Sequence, residues 1–181
     1  MYFEESTDRG RNWYLEGSLN YDRKFGKHQV GALILYNQWR DQYPDPAQFD
    51  YVSIPRGYVG LVGRATYNFD NRYLLGASFR EDGSSRFGGN NKYGFFPSGS
   101  VAWRISEEGF MEPVKAVINN LKLRTSYGFT GNTEIGVYES LATLGSNSWT
   151  IGNQLVSGFY PNRIPNPDLK WEKTGQFDIG F

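Results

Sequence analysis

The residues best suited to catalysis or metal binding are few and poorly grouped in this sequence. His28 is the single histidine and lies beside a predicted tight turn, so no second imidazole is available for a zinc site and no Ser-His-Asp arrangement is visible. Cysteine is absent, which excludes thiolate metal sites and a disulfide scaffold. We therefore expect no metal site and no cofactor.

Acidic pairs and glycines offer no better active site. Three acidic pairs occur, at residues 4–5, 81–82 and 107–108. Neighbours in an extended chain point to opposite faces, and the sequence shows no group that would shift the pKa values of these carboxylates. The glycines at 57, 60 and 63 lie within a predicted strand rather than between a strand and a helix, so they do not indicate a phosphate-binding loop. The sequence predicts a protein that is not an enzyme.

The chain is organised by strands in which apolar and polar side chains alternate. Between residues 59 and 69 the odd positions are mostly apolar and the even ones mostly polar, and the pattern restarts at residue 73. Asp70-Asn71 between these runs predicts a tight hairpin turn, because both residues tolerate positive φ. About seven strands are predicted, at residues 12–22, 28–40, 59–69, 73–80, 95–105, 121–130 and 169–181.

Two segments are less regular. The strand at 28–40 is apolar on both sides, since Val30 and Ile34 share one row while Leu33 and Leu35 share the other, so its facing stays open. Residues 106–120 predict a short helix that begins with Ser106 or the two glutamates after it. In the last strand, the alternation puts Trp171 on the apolar row.

The connections between the strands alternate in length. Short links are predicted at 23–27 and 70–71, an intermediate one at 106–120, and long irregular loops at 41–56, 82–94 and 131–168. The three prolines of 41–56 argue against ladder pairing there. Because antiparallel strands place successive connections at opposite ends, one rim would carry short turns and the other long loops. Outer-membrane β-barrels have this asymmetry.

Composition agrees with an all-β chain. Glycine occurs 22 times and aromatic residues make up 17% of the sequence. No run approaches the ~18 apolar residues of a membrane helix, but a barrel hides its lipid-facing side chains in alternation. With 19 basic and 19 acidic residues the formal charge is zero, which gives no indication of a nucleic-acid partner.

Several ordered motifs resemble one family. They lie at Tyr73–Gly88, Gly94–Ser98, Ala102–Ile105, Asn120–Gly128 with Thr130–Asn132, and Asn166–Thr174. The chain from Arg56 to Phe181 is similar in these motifs to the barrel of SusC/RagA-type TonB-dependent transporters of Bacteroidota. Residues 1–55 fit the preceding barrel strands by alternation only.

The resemblance implies an antiparallel transmembrane barrel of about twenty-two strands in the outer membrane, which imports glycans, oligosaccharides or peptides. It also implies a SusD-like lipoprotein over the outer loops and a TonB complex that acts through an N-terminal part. About seven strands cannot close so wide a barrel. Residues 1–181 are therefore expected to be part of the barrel domain, with the plug domain, the signal peptide and the other strands lying elsewhere.

The strand and loop assignments suggest where functional residues lie. On the polar rows, Arg64, Arg80, Arg104, Arg124 and Glu172 are expected to face the barrel lumen. In the long loops, four residues are candidates for substrate contact: Arg86, Phe87, Trp149 and Tyr160. For the motif that contains Arg86 and Phe87, a purely conformational reason for its glycines and serines remains the competing interpretation.

A second reading of the whole chain stays open at this point. A secreted or surface-exposed all-β module of the sandwich type would also alternate apolar and polar residues, and its loop aromatics would bind carbohydrate. That reading requires the apolar rows to pack together in a self-contained core. The barrel reading requires them to be uncovered.

Overall fold

The backbone is almost entirely β-strand. The computed structural model describes residues 11–44, 53–136 and 139–181. The strands are β1 (Arg11–Phe25), β2 (His28–Pro44), β3 (Ser53–Phe69), β4 (Tyr73–Ser84), β5 (Tyr93–Arg104), β6 (Lys122–Asn132), β7 (Thr143–Ile151), β8 (Gln154–Arg163) and β9 (Glu172–Gly180). The first ten residues and the middle of the predicted loop at 41–56 lie outside the described residues.

Seven of these strands form one antiparallel sheet in the order β1-β2-β3-β4-β5-β6-β9. β7 and β8 pair with each other in a separate hairpin, inserted between β6 and β9. Every neighbour in the large sheet except β9 is also the neighbour in sequence, as in an up-and-down barrel wall. The predicted all-β, antiparallel architecture is confirmed.

Two tight turns form as predicted at one end of the sheet. Gly26 between β1 and β2 has a φ of 58°. Asp70 and Asn71 between β3 and β4 have φ values of 52° and 56°, and the Arg72 N–H donates to the Phe69 carbonyl at 2.9 Å. Positive φ at both central residues matches the right-handed twist of the flanking strands.

The register decides the facing of β2. Ile34 lies opposite Leu19 of β1 and Gly63 of β3, whereas Leu35 lies opposite Ser18 and Val62. Opposed residues in antiparallel strands project from the same face. Ile34 therefore belongs to the apolar face of the sheet, and Leu35 to the polar one.

The strands extend further into the predicted loops than their composition indicates. Pro44 is paired with Ser53 and Gln42 with Pro55, so the prediction of a loop over 41–56 is wrong at both ends. β3 has no β4 partner before Tyr58, and a proline is tolerated where a strand has a neighbour on one side only. The loop predicted at 82–94 likewise narrows to residues 85–92.

The prediction that residues 131–168 are irregular is wrong, because they contain the β7–β8 hairpin. Its turn residues Gly152 and Asn153 have φ values of 58° and 66°. A Gly-Asn pair between strand-forming runs is a recognised hairpin signal. The scattered serines and glycines around it obscured the alternation.

The helix predicted within 106–120 is replaced by two short 3₁₀ helices, Ile105–Glu107 and Gly109–Val114. The residues that precede them make no side-chain capping hydrogen bond, so the predicted caps are wrong. Pro113 within the second helix lacks the N–H that a continuing α-helix requires. No helix within the described ranges is long and apolar enough to cross a membrane.

The buried hydrophobic core is very small. Within the described ranges it consists of Phe87, Phe96 and Trp171. In the part of the chain that the structure describes, no second sheet packs against the apolar rows of the large sheet. A sandwich needs two inner faces that interdigitate over a shared core. The sandwich interpretation is therefore not supported.

Candidate functional site

The apolar face of the large sheet is uncovered. Leu19 is 78% exposed, Ile34 59% and Phe177 65%. Burying one such side chain is worth about 1.5–3 kcal/mol, so a folded sheet in water would not leave a continuous apolar surface open. Contact with lipid hydrocarbon would satisfy such a face.

The opposite face is polar and carries all five residues predicted to face the lumen. Arg64 lies opposite Ser78, and Ser78 is two positions from Arg80 on the same strand. Arg124 lies opposite Ala102, two positions from Arg104, and Glu172 lies opposite Asn132. Because side chains alternate between faces with a period of two, the register brings these five residues to one face. The lumen-facing role itself stays a prediction.

The polar face has a cavity of about 550 Å³ toward the tight-turn end. Its lining includes Arg64 and Arg124, which lie among the acidic side chains of Asp22 and Asp178. Opposite charges are interspersed here, so the surface can be hydrated without a strong net field. Arg80 lies toward the long-loop end of β4, Arg104 ends β5 and Glu172 begins β9.

A charged network lies on the same face toward the long-loop end. The Nε atom of Arg80 donates to both carboxylate oxygens of Asp82, at 2.7 and 2.6 Å, and its Nη2 atom donates to the Tyr58 hydroxyl at 2.7 Å. The Asp82 side chain is 7% exposed. A carboxylate buried to this extent needs a fixed cation, and Arg80 provides it. The sequence alone did not indicate this charged partner for Asp82.

The small core lies beside this network and fastens the long loops. The ring centroid of Trp171 lies 5.1 Å from that of Phe87 and 5.4 Å from that of Phe96, and its Nε1 atom donates to the Lys92 carbonyl at 3.1 Å. Trp171 precedes β9 and is 6% exposed. It therefore does not belong to the uncovered apolar row on which the alternation placed it.

Arg86 and Phe87 make contacts within the protein. Phe87 is 3% exposed in the core, and Nη1 of Arg86 donates to the Thr133 carbonyl at 2.9 Å. These contacts tie residues 85–92 to the segment after β6. Their predicted contact with substrate stays a prediction.

Trp149 and Tyr160 lie on one face of the β7–β8 hairpin. A Cβ atom added to Gly158 would lie 2.1 Å from the Trp149 ring, and one added to Gly145 would lie 2.6 Å from the Tyr160 ring. Each ring thus covers a cross-strand glycine. The two side chains are 45% and 43% exposed. They are the more accessible pair among the predicted contact residues.

At the tight-turn end, Glu108 contacts two strand residues and one turn residue. It accepts hydrogen bonds from the Tyr73 hydroxyl at 2.7 Å, from Trp103 Nε1 at 3.0 Å and from Arg72 Nη1 at 3.3 Å. The bond from Tyr73, followed by that from Trp103 and the charge of Arg72, lowers the pKa of Glu108. The carboxylate between the two 3₁₀ helices thus has partners that the sequence did not indicate.

The single histidine lies directly after the tight turn between β1 and β2. His28 Nδ1 shares a hydrogen bond of 2.7 Å with the Tyr67 hydroxyl. In the parts of the chain that the structure describes, no three acidic or histidine side chains converge as a metal site.

Sequence reasoning overlooked Tyr58, Phe96 and Glu108 as interaction centres. Tyr58 and Phe96 occupy positions on the polar rows, where an isolated aromatic residue is easily taken as a break in the alternation. Glu108 lies in a connection, so its partners on β4 and β5 become neighbours only through the sheet register.

Comparison with known proteins places this architecture in a family. Residues 2–181 match the family described as TonB dependent receptor-like, beta-barrel. TonB-dependent receptor P3 of Formosa agariphila is 42% identical over 193 residues, which cover 94% of this chain and 19% of that protein. TonB-dependent receptor SusC of Bacteroides thetaiotaomicron is 39% identical over 128 residues, which cover 68% of this chain and 13% of that protein.

A solved structure shows the same fold. The RagAB peptide importer in its closed-closed state superposes with a TM-score of 0.74 at 27% identity, over 95% of this chain and 21% of that chain. The chain therefore spans 13–21% of the length of these relatives, and its sheet is an open portion of their barrel. It belongs to the TonB-dependent receptor β-barrel family, is of the SusC/RagA type, and is an outer-membrane protein.

Proposed function

We propose that this chain forms part of the wall and outer loops of a TonB-dependent importer that takes up glycans, oligosaccharides or peptides. The proposal rests mainly on the two different faces of the sheet. The uncovered apolar rows suit lipid, and the polar rows suit a water-filled interior. The 39% identity to SusC and the likeness to the RagAB peptide importer support nutrient import. No enzymatic step enters this proposal.

Within this proposal the polar-face residues line the transport path. Arg64 and Arg124 lie in the cavity of the polar face, and Arg80 lies nearer the long loops. Arg104 and Glu172 share that face by register. Charged side chains are stable on this face because water in a wide lumen would solvate them. Hydrocarbon at the other face would not.

The outer loops would make the first contact with substrate. Trp149 and Tyr160 present two partly exposed rings on one hairpin face, which can stack on a sugar ring or on an apolar side chain. Arg86 and Phe87 would act from the loop at residues 85–92, which the small core holds in place.

The partners follow from the same proposal. Outer-membrane lipid covers the apolar rows, a SusD-like lipoprotein sits over the long loops, and a TonB complex supplies energy. We infer that residues 1–181 are one part of the barrel domain. The plug domain and the segment that contacts TonB would lie in the rest of the protein.

Uptake experiments test this function. The gene for the full-length receptor is deleted in its host, and uptake of fluorescent maltohexaose, xylohexaose and a hexapeptide mixture is measured with and without active TonB. We expect at least one probe to lose entry in the deletion strain and in the TonB-inactive strain. Unchanged entry of every probe in both strains would contradict the proposal.

A further inference from the structure

A second cavity on the polar face lies at the long-loop end. Its volume is about 480 Å³, within the range of ligand pockets. Tyr58, Arg80 and Asp82 line one side, and Phe96 and Trp171 another. Ser98 also contributes to the lining. None of the residues predicted from the sequence to contact substrate lies in it.

The charges of this cavity cancel internally. Arg80 and Asp82 are the charged residues of its lining, and they bind each other through two hydrogen bonds of 2.7 and 2.6 Å. A further bond from Arg80 to the Tyr58 hydroxyl uses another guanidinium N–H. A ligand with a free charged group would enter without a counter-charge, at a desolvation cost. The cavity therefore suits a neutral ligand.

The remaining lining combines aromatic rings with hydroxyl groups. The hydroxyls of Ser78 and Ser98 lie 2.7 Å apart, and either can donate or accept. Thr130 and Thr133 add two more hydroxyls. A sugar ring presents C–H groups on its faces and hydroxyls at its edge. This lining is complementary to both, whereas a purely apolar ligand would leave the hydroxyls unpaired.

We propose that this cavity, lined by Tyr58, Arg80, Asp82, Phe96, Ser98 and Trp171, is a binding site for a neutral carbohydrate unit on the transport path. The inference rests on the proposed import function and narrows its substrate class. The Arg80–Asp82 pair orients the sugar hydroxyls, and the ring of Tyr58, which is less buried than Phe96 and Trp171, contacts the sugar face.

Two matched serines on β5 provide the test. Ser98 lines this cavity, whereas Ser100, two residues further on the same face, lines the cavity at the tight-turn end. The variants S98F and S100F are made in the full-length receptor. Binding of maltohexaose, xylohexaose, mannohexaose and laminarihexaose, and of a charged hexapeptide mixture, is measured by calorimetry in detergent.

We expect at least one neutral hexasaccharide to bind. We expect S98F to weaken that binding at least about tenfold and S100F to change it by less than about twofold, because only the ring added at position 98 enters the cavity at the long-loop end. Equal effects of the two variants would overturn the site, as would binding of the charged peptides alone.

If S98F does not assemble, the site is tested by determining a structure of the wild-type receptor with the bound hexasaccharide. Sugar density between Tyr58 and Trp171 supports the site. Sugar elsewhere, or another segment of the same receptor seated in the cavity, overturns it. If uptake depends on TonB but S98F binds the sugar as the wild type does, the import function is upheld and this site is rejected. If S98F weakens sugar binding but uptake does not depend on TonB, the site is upheld and the import function is rejected.

Discussion

Placing an arginine at Ile34 is the most direct test of which face of the sheet meets lipid. Ile34 is 59% exposed on the apolar face, between Leu19 and Gly63. It lies six residues (34 − 28) after the start of β2. At ~3.3 Å per residue and a tilt of ~45°, this is about 14 Å from the turn, near the middle of an apolar band ~25 Å tall.

The magnitude follows from this depth. An arginine at the bilayer midplane destabilises an outer-membrane barrel by about 2–4 kcal/mol. Leu35 provides the matched control, because it follows directly in β2 but lies on the polar face between Ser18 and Val62. Leu35→Arg loses only part of the burial of a partly buried leucine, about 1 kcal/mol. The expected difference in the free energy of unfolding is therefore about 1–3 kcal/mol.

The assay uses the full-length receptor folded into phosphatidylcholine vesicles and unfolded with guanidinium chloride, with tryptophan fluorescence as the signal. Reversible transitions give the free energy of unfolding of each variant, and electrophoretic heat-modifiability reports the folded fraction. If Leu35→Arg destabilises the receptor as much as Ile34→Arg, or more, the assignment of the two faces is refuted.

Three further outcomes are expected. Trp171→Ala removes the centre of the buried cluster, at a local cost of about 3–5 kcal/mol. It should make residues 85–92 sensitive to protease in the full-length receptor. The control Trp149→Ala, which removes an exposed ring, should leave the protease sensitivity of these residues unchanged. In Gly158→Ala the added methyl group displaces the Trp149 ring, which should shift the tryptophan fluorescence of the β7–β8 hairpin. Gly152→Ala is the control: it adds a methyl group in open space at a turn residue with positive φ, so it tests backbone strain alone. Because the folded state lowers the pKa of Glu108, its stabilising contribution is complete above the ordinary value and is lost as the pH falls through the lowered one. Unfolding measured from pH 7 to pH 3 should show this loss in the wild type, and Glu108→Gln should remove that part of the pH dependence.

Local chemistry made much of the fold predictable. The alternation from residue 59 to 69 and the Asp70-Asn71 turn each depend on neighbours a few residues apart, so the sequence carries them directly. The same alternation assigned Arg64 and Arg124 to a polar face without any knowledge of pairing. The β7–β8 hairpin was also encoded locally, in Gly152-Asn153, and was missed because serine and glycine dilute its alternation.

Other features depend on contacts between distant residues. Trp171 follows the alternation of β9, yet the loop before β9 turns its ring onto Phe87 and Phe96, which are 84 and 75 positions earlier in the chain (171 − 87 and 171 − 96). Glu108 binds Tyr73 and Trp103 because the register of β4 and β5 brings those residues to one place. Neither contact can be read from spacing along the chain.

The sequence by itself determined that the chain is all-β, that most strands have an apolar and a polar row, and that a tight turn lies at Asp70-Asn71, because a period of two and the turn residues act over a few positions. Only the tertiary structure decided which row of β2 joins the lipid face, that Arg80 compensates the buried Asp82, and where the aromatic core lies. These outcomes depend on strand register, and a shift of one residue would exchange the two faces while leaving the sequence pattern unchanged.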